Sequence, residues 1–221
     1  MPGPTRSRKL VEAMIRSGEK AAAHFCQISG GEWFDEAPEY FLSTYVARSA
    51  GNHENTFALL EVQVDQTRKE AGASRRGRAA NHERRNGRFD VVLYWANGNP
   101  RAAVEIKSPI WDVTEQQIRP DIDRLCSALL ANSSSTFQFG VFLFYASVGK
   151  PERKHDNATQ RMRDLLERIE EKAIEWTARR GAEVILIPGA VHKGKEDEDG
   201  AWSIASLVIT RTGGKRSFLT T

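Results

Sequence analysis

Residues 6 to 25 place Leu10, Val11, Met14, Ile15, Ala21, Ala22 and Phe25 on one side of a helical period, with Thr5 or Ser7 as a cap. An amphipathic N-terminal helix is predicted. Gly30-Gly31 interrupts the pattern, and Asp35-Glu36-Ala37-Pro38 then supplies start chemistry for a helix over 37–49 with Phe41, Leu42, Tyr45 and Val46 on its apolar side. Gly51-Asn52 closes it. Residues 57–66 fit two periods: Phe57, Leu60 and Val64 suit a helix, whereas Leu60, Val62 and Val64 alternating with Glu61, Gln63 and Asp65 suit a strand. We read a strand.

Two β-rich runs follow, Phe89 to Trp95 and Ala102 to Ser108, separated by Asn97-Gly98-Asn99-Pro100, which is hairpin chemistry. Pro120 suits a first helical turn, so a helix starting there is expected to bury Ile122, Leu125, Cys126 and Leu129. Phe137 to Val148 has few polar interruptions and reads as a central strand covered on both faces. A long helix over 157–180 begins with Asn157 and Gln160 in capping-box spacing and stops at Gly181. Strands at 183–188 and 202–210 complete the chain, joined by the charged turn 193–200. The order predicts an α/β fold, a central mixed sheet flanked by helices, as one domain over 1–221. Within it, 1–30 is a helical extension, 37–148 the core, and 149–221 an added helix with two strands.

Composition narrows the classes without naming one. Hydrophobic residues at 40% and charged residues at 28% of 221 positions exclude wholesale disorder. No apolar run approaches the roughly 20 residues that cross a bilayer, and the N-terminus has no signal-peptide core, so no membrane partner and a cytoplasmic location are expected. Two cysteines a hundred positions apart, Cys26 and Cys126, disfavour disulfide frameworks and zinc modules. The net charge is only +3, yet 32 basic and 29 acidic residues can segregate into opposed surfaces. Arg75, Arg76, Arg78, Arg84, Arg85 and Arg88, interrupted by Gly77 and Gly87, predict an exposed loop whose guanidinium forks suit nucleic-acid phosphates.

The candidate chemistry lies in Asp90 and, after the hairpin, Glu105-Ile106-Lys107. An acid-x-Lys triplet alone says little: Glu152-Arg153-Lys154 and Glu170-Glu171-Lys172 also match, one in a loop and one on the long helix. Only Glu105-x-Lys107 falls on a predicted strand, where side chains two apart share a face. With the turn centred between Gly98 and Asn99, Asp90 stands opposite Lys107 and diagonal to Glu105. A slip of two residues would set Asp90 directly against Glu105, and a slip of one would separate them. Two carboxylates and an ammonium on a half-buried surface are costly to desolvate, and a hard divalent cation offsets that cost. Such a site polarises a phosphodiester and lowers the pKa of a bound water, while a lysine orients that water and balances the charge that builds on phosphorus.

Arg88-Phe-Asp-Val-Val-Leu-Tyr, the hairpin and Ala103-Val-Glu-Ile-Lys-Ser, followed by a helix and a buried strand, resemble the PD-(D/E)XK nuclease superfamily of restriction-endonuclease-like enzymes. The resemblance spans 37–148 in element order and 88–108 at the level of the motif. Phe89 stands where the motif usually has proline. The resemblance implies an αβββαβ core and Mg²⁺, with Mn²⁺ as a substitute. It implies Asp90, Glu105 and the Ile106 backbone as metal ligands, Lys107 as the catalytic lysine, and a further acid from the first core helix, best matched by Glu39 and less well by Glu54. Gln116 and Gln117 follow the lysine strand, and Gln117 is a candidate contact to the bound backbone. The implied activity is endonucleolytic hydrolysis of DNA in restriction, phage defence or repair. RNA hydrolysis, and a non-catalytic nucleic-acid-binding or assembly module on the same fold, stay open. A homodimer would suit double-strand cleavage.

Blander readings stand beside these. Asp121, Asp123 and Arg124 are expected to be surface or capping residues. His24, His53, His82, His155 and His192 are too scattered for a metal site. Trp95, Trp111, Trp176 and Trp202 fit packing or strand edges, with Trp111, just past Lys107, the one placed to meet a substrate.

Overall fold

The structure is a computed structural model, and it describes residues 4–53, 55–73, 87–150, 155–194, 200–214 and 218. Helix α1 (Pro4–Ile28) precedes a 3₁₀ turn at Phe34–Glu36 and helix α2 (Glu39–Gly51). The core continues as β1 (Thr56–Gln63), α3 (Val64–Glu70), β2 (Arg88–Trp95), β3 (Pro100–Ile110), α4 (Glu115–Leu130) and β4 (Phe139–Val148). It ends in α5 (Ala158–Ala178), β5 (Ala182–Lys193) and β6 (Ala201–Arg211).

The strands form one six-stranded sheet in the order β1-β2-β3-β4-β6-β5. All neighbours are antiparallel except β3 and β4, which run parallel and are joined through α4. A parallel pair cannot be closed by a short turn, which is why a helix stands between those two strands. Alternation then splits the apolar residues between two layers. Val91, Leu93, Val104, Ile106, Val141 and Leu143 face α1 and α2, where Leu10, Met14, Leu42 and Val46 complete one core. Val92, Ala103, Phe142 and Phe144 face α4 and α5, where Ile122, Leu125, Met162 and Ile169 complete the other. Strand β4 is buried along its whole length, as its uninterrupted apolar run predicts. Gly140 lets α4 approach it, because a Cβ there would lie 3.1 Å from Leu125 Cβ.

Three expectations need correction. The strand read over 57–66 ends at Gln63, and the chain turns into α3. That turn buries Val64, Thr67 and Arg68 on one side, with Asp65 in the first turn and Arg68 and Lys69 in the last, where they complement the helix dipole. The helix expected from Pro120 begins a turn earlier at Glu115, so Pro120 lies inside α4. The β2–β3 register is displaced by two residues from the one expected: Val91 pairs with Val104 and Val92 with Ala103, with a bulge between Leu93 and Tyr94. The hairpin closes early, with Trp95 N–H donating to Asn99 C=O at 2.9 Å, which displaces the pairing by three beside the turn, and the bulge gives one residue back. The Asn157 cap is as predicted, its side chain accepting from Gln160 N–H at 3.0 Å. No helix among the described residues is long and apolar enough to cross a membrane.

Candidate active site

Continuing the β2–β3 register places Asp90 across from Glu105, the two-residue slip that keeps the acids together. Asp90 Oδ2 accepts from the Ile106 backbone N–H at 2.6 Å, which fixes its carboxylate over the neighbouring strand. The Ile106 side chain points the other way, into the α1/α2 core. Glu105 is only 1% exposed and lies beneath α4. Glu39, the first residue of α2, reaches the end of β3 from the opposite layer: its Oε2 accepts from Ser108 N–H at 3.0 Å and lies 3.4 Å from Lys107 Nζ. Asp90, Glu105, Lys107 and Glu39 therefore occupy one neighbourhood at one end of the sheet.

Burial pushes Asp90 up to about 6. The Ile106 N–H opposes that rise, and the charges of Glu39 and Asp121 add to it. Burial likewise holds Glu105 well above the usual carboxylate range, Arg124 pulling it down and Asp90 and Asp121 pushing it up. The fold thus gathers acids that repel each other in a place with little water. Among the described residues there is no group of three or more His, Cys, Asp or Glu arranged to hold a metal ion. The cluster offers two carboxylates, and the Ile106 carbonyl, water or a phosphate oxygen would have to complete a coordination sphere. That donor set suits Mg²⁺, which takes few protein ligands and retains waters.

Arg124 is the part that sequence reasoning missed. Expected to be a surface residue, it instead extends from α4 to donate to Glu105 Oε1 at 2.5 Å, while its other terminal nitrogen lies 3.2 Å from Asp121 Oδ1. Asp121 joins the cluster electrostatically, and the expectation of a capping role for it is likewise corrected. The available signal was the spacing of three between them, beside the apolar stripe of Ile118, Ile122 and Leu125 that turns this side of the helix to the sheet. Asp123 sits outside the cluster and pairs with Arg180 at 3.0 Å.

The remaining expectations divide clearly. Gln117 and Gln116 lie exposed in the first turn of α4, and Gln117 Oε1 accepts from Thr114 Oγ1 at 2.8 Å. Arg88 is exposed at the start of β2, paired in register with Gln63. Arg75, Arg76, Arg78, Arg84, Arg85, His82 and Glu54 lie outside the described residues. Trp111 is 59% exposed, and its Nε1 donates to Asp35 Oδ2 at 2.5 Å. Tyr40, beside Glu39 in sequence, is 67% exposed. Two exposed aromatic side chains thus flank the cluster along the chain.

In comparisons with protein-family models, curated proteins and solved structures, no match was found for this chain.

Proposed function

We propose that the protein is a divalent-cation-dependent nuclease with a restriction-endonuclease-like core, hydrolysing phosphodiester bonds of DNA. The observation that carries this reading is the apposition of Asp90 and Glu105 across β2 and β3, with Lys107 on the same strand as Glu105 and Glu39 beside it. The run α2, β1, β2, β3, α4, β4 supports it, with α3 as an insertion in the αβββαβ order. Asp90, Glu105 and the Ile106 carbonyl would hold Mg²⁺ or Mn²⁺, which supplies Lewis-acid polarisation of the phosphate and acidifies a water. Asp90 is kept in place by the Ile106 N–H. Lys107, tethered by Glu39, is set to orient the attacking water and to place positive charge against the phosphoryl oxygens. Glu39 acts on the reaction through that tether and as the further acid of the cluster.

The ion pair between Arg124 and Glu105 favours a second reading. A guanidinium already neutralises the more buried acid, which is the arrangement expected of a nucleic-acid-binding module that keeps the fold without turnover. The two readings differ in one experiment: supercoiled DNA, linear DNA and RNA incubated with Mg²⁺ or Mn²⁺, using the parent, Asp90→Asn and Lys107→Ala. The nuclease reading requires metal-dependent cleavage by the parent that both variants lose while they keep DNA affinity. Binding by the parent without cleavage in either metal selects the second reading, and preferential loss of RNA selects a ribonuclease.

A further inference from the structure

One guanidinium in the acid cluster holds two carboxylates with different roles. Arg124 reaches from α4 to the face of β3 that carries Ala103 and Glu105. Its Nη1 donates to Glu105 Oε1 at 2.5 Å, and its Nη2 lies 3.2 Å from Asp121 Oδ1. Glu105 belongs to the proposed cation ligands, whereas Asp121 sits three residues back on the helix of the arginine itself. The charge of Asp90 acts on the guanidinium as well, so Arg124 stands beside both ligand acids. Its side chain keeps 19% of its surface against 2% for that of Glu105, which makes the arginine the accessible member of the pair.

The neighbouring arginines are committed elsewhere. Arg119 pairs with Glu115 and lies 3.5 Å from Asp123, and Arg180 lies 3.0 Å from Asp123, all outside the cluster. Inside it, among the described residues, the four acids Asp90, Glu105, Asp121 and Glu39 face the two cations Lys107 and Arg124. One divalent cation closes that deficit. Glu105 then no longer needs the guanidinium, and an arriving phosphodiester adds a charge still to be met. The hold on Asp121 is separate from Glu105, because positions three apart on a helix are neighbours, so the fork stays aimed when its other partner is taken. A planar guanidinium suits carboxylate and phosphate oxygens alike, so a change of acceptor asks little change of geometry.

We propose that Arg124 is a catalytic residue of the cluster, its Nη1 passing from Glu105 to a non-bridging oxygen of the bound phosphodiester when the cation takes Glu105, while Asp121 holds Nη2; the assignment rests on the nuclease reading above. On the phosphate the guanidinium offsets the charge spread over the non-bridging oxygens as water attacks and the leaving oxygen departs. No bond forms or breaks at Arg124, and it keeps its protons throughout. Asp121 is a positioning residue. The ion pair between Arg124 and Glu105 is then the resting state of the site.

The test reads the salt dependence of DNA binding beside cleavage. A fluorescein-labelled duplex is titrated with the parent, Arg124→Gln and Arg124→Lys at stepped sodium chloride, in Ca²⁺ and in chelator. Initial rates on supercoiled DNA are taken in Mg²⁺ and Mn²⁺. In Ca²⁺ the slope of log affinity against log salt is expected to be shallower by about 1 in Arg124→Gln, the signature of one lost phosphate contact, and parental in Arg124→Lys. In chelator the three slopes coincide, because Nη1 is then on Glu105; a purely structural ion pair leaves them together in both conditions. Cleavage falls about 10²-fold in Arg124→Gln and about tenfold in Arg124→Lys, which keeps the charge and loses the fork. Coincident slopes in Ca²⁺, or cleavage by Arg124→Gln at the parental rate per folded molecule, overturn the proposal. Where Arg124→Gln does not fold, a parental rate in Arg124→Lys does the same, and an equal slope difference in chelator overturns the exchange of partners. Cleavage by the parent with coincident slopes sinks the role of Arg124 alone. Absence of cleavage in either metal, with the slope difference confined to Ca²⁺, sinks the nuclease reading and leaves the phosphate contact standing.

Discussion

Strand β3 buries two charges four residues apart, and they are treated in opposite ways. Arg101, 2% exposed, lies over the Trp95 ring at 4.1 Å and donates to Thr56 Oγ1 and Ser7 Oγ at 3.0 and 3.2 Å. The π face comes from β2 and the hydroxyls from β1 and α1, so the guanidinium links three elements to β3. Glu105 is as deeply buried but faces Asp90 and Asp121, which oppose its charge, while Arg124 favours it. A buried charge with accommodating neighbours reads as structural. A buried charge among like charges reads as a place prepared for something else, because the fold alone gains nothing from the repulsion.

That contrast breaks first at the chemistry. Under the nuclease reading, Asp90→Asn and Lys107→Ala each lower metal-dependent cleavage by at least about 10²-fold, comparable to removing one charge-stabilising group from an active site. Arg101→Met leaves cleavage per folded molecule near the parental rate. Equal losses in all three variants, measured as initial rates on supercoiled DNA, would erase the distinction between the two charges.

Stability should run the other way. Arg101→Met forfeits the π contact and two charge-assisted hydrogen bonds and is expected to cost about 3 kcal/mol, read as a fall in denaturation midpoint. Asp90→Asn removes a repelled carboxylate and raises stability at pH 8 in the absence of divalent cation. The sign follows from linkage. In the fold Asp90 holds its proton up to about 6, whereas in the unfolded chain it releases it near 4. Between those values the folded state binds more protons, so stability falls as pH rises from about 4 to about 6 and is flat above. The full shift corresponds to at most about 3 kcal/mol. Thermal melts in a chelator at stepped pH values should therefore show a decline for the parent that Asp90→Asn flattens.

How much of this the chain displayed beforehand depends on whether the signal was periodic. The amphipathic stripe of α1, the apolar run of β4 and the Asn157 cap of α5 are local patterns, and they formed as predicted. The alternation of β2 and β3 placed Asp90 and Glu105 on one side, and that parity survived a register displaced by two residues because the side-chain period of a strand is two. The displacement itself came from the hairpin closing between Trp95 and Asn99, earlier than the turn residues indicated, and the bulge between Leu93 and Tyr94 gives back one residue of it. Helix α3 was hidden because seven residues with two apolar-compatible periods carry too little information. Arg124 and Trp33 were hidden for a different reason. Each acts through a contact with a distant element, Arg124 with β3 and Trp33 with Gly194 and Gly200, and such contacts leave no periodic trace.

The smallest effect tests the arginine. Arg124 balances Glu105 and touches Asp121, so truncating it leaves three acids with less positive charge between them. Arg124→Ala should therefore melt lower than the parent in chelator, by about 4–8 °C for a loss near 2 kcal/mol in a chain of this size. Under the nuclease reading a divalent cation takes over the neutralising role, so Mg²⁺ or Mn²⁺ restores most of that loss and raises the melting temperature of the variant more than that of the parent. If Arg124 instead serves as the permanent counter-charge of a binding module, neither cation rescues the variant. Rescue by sodium chloride at matched ionic strength would reduce the effect to general screening.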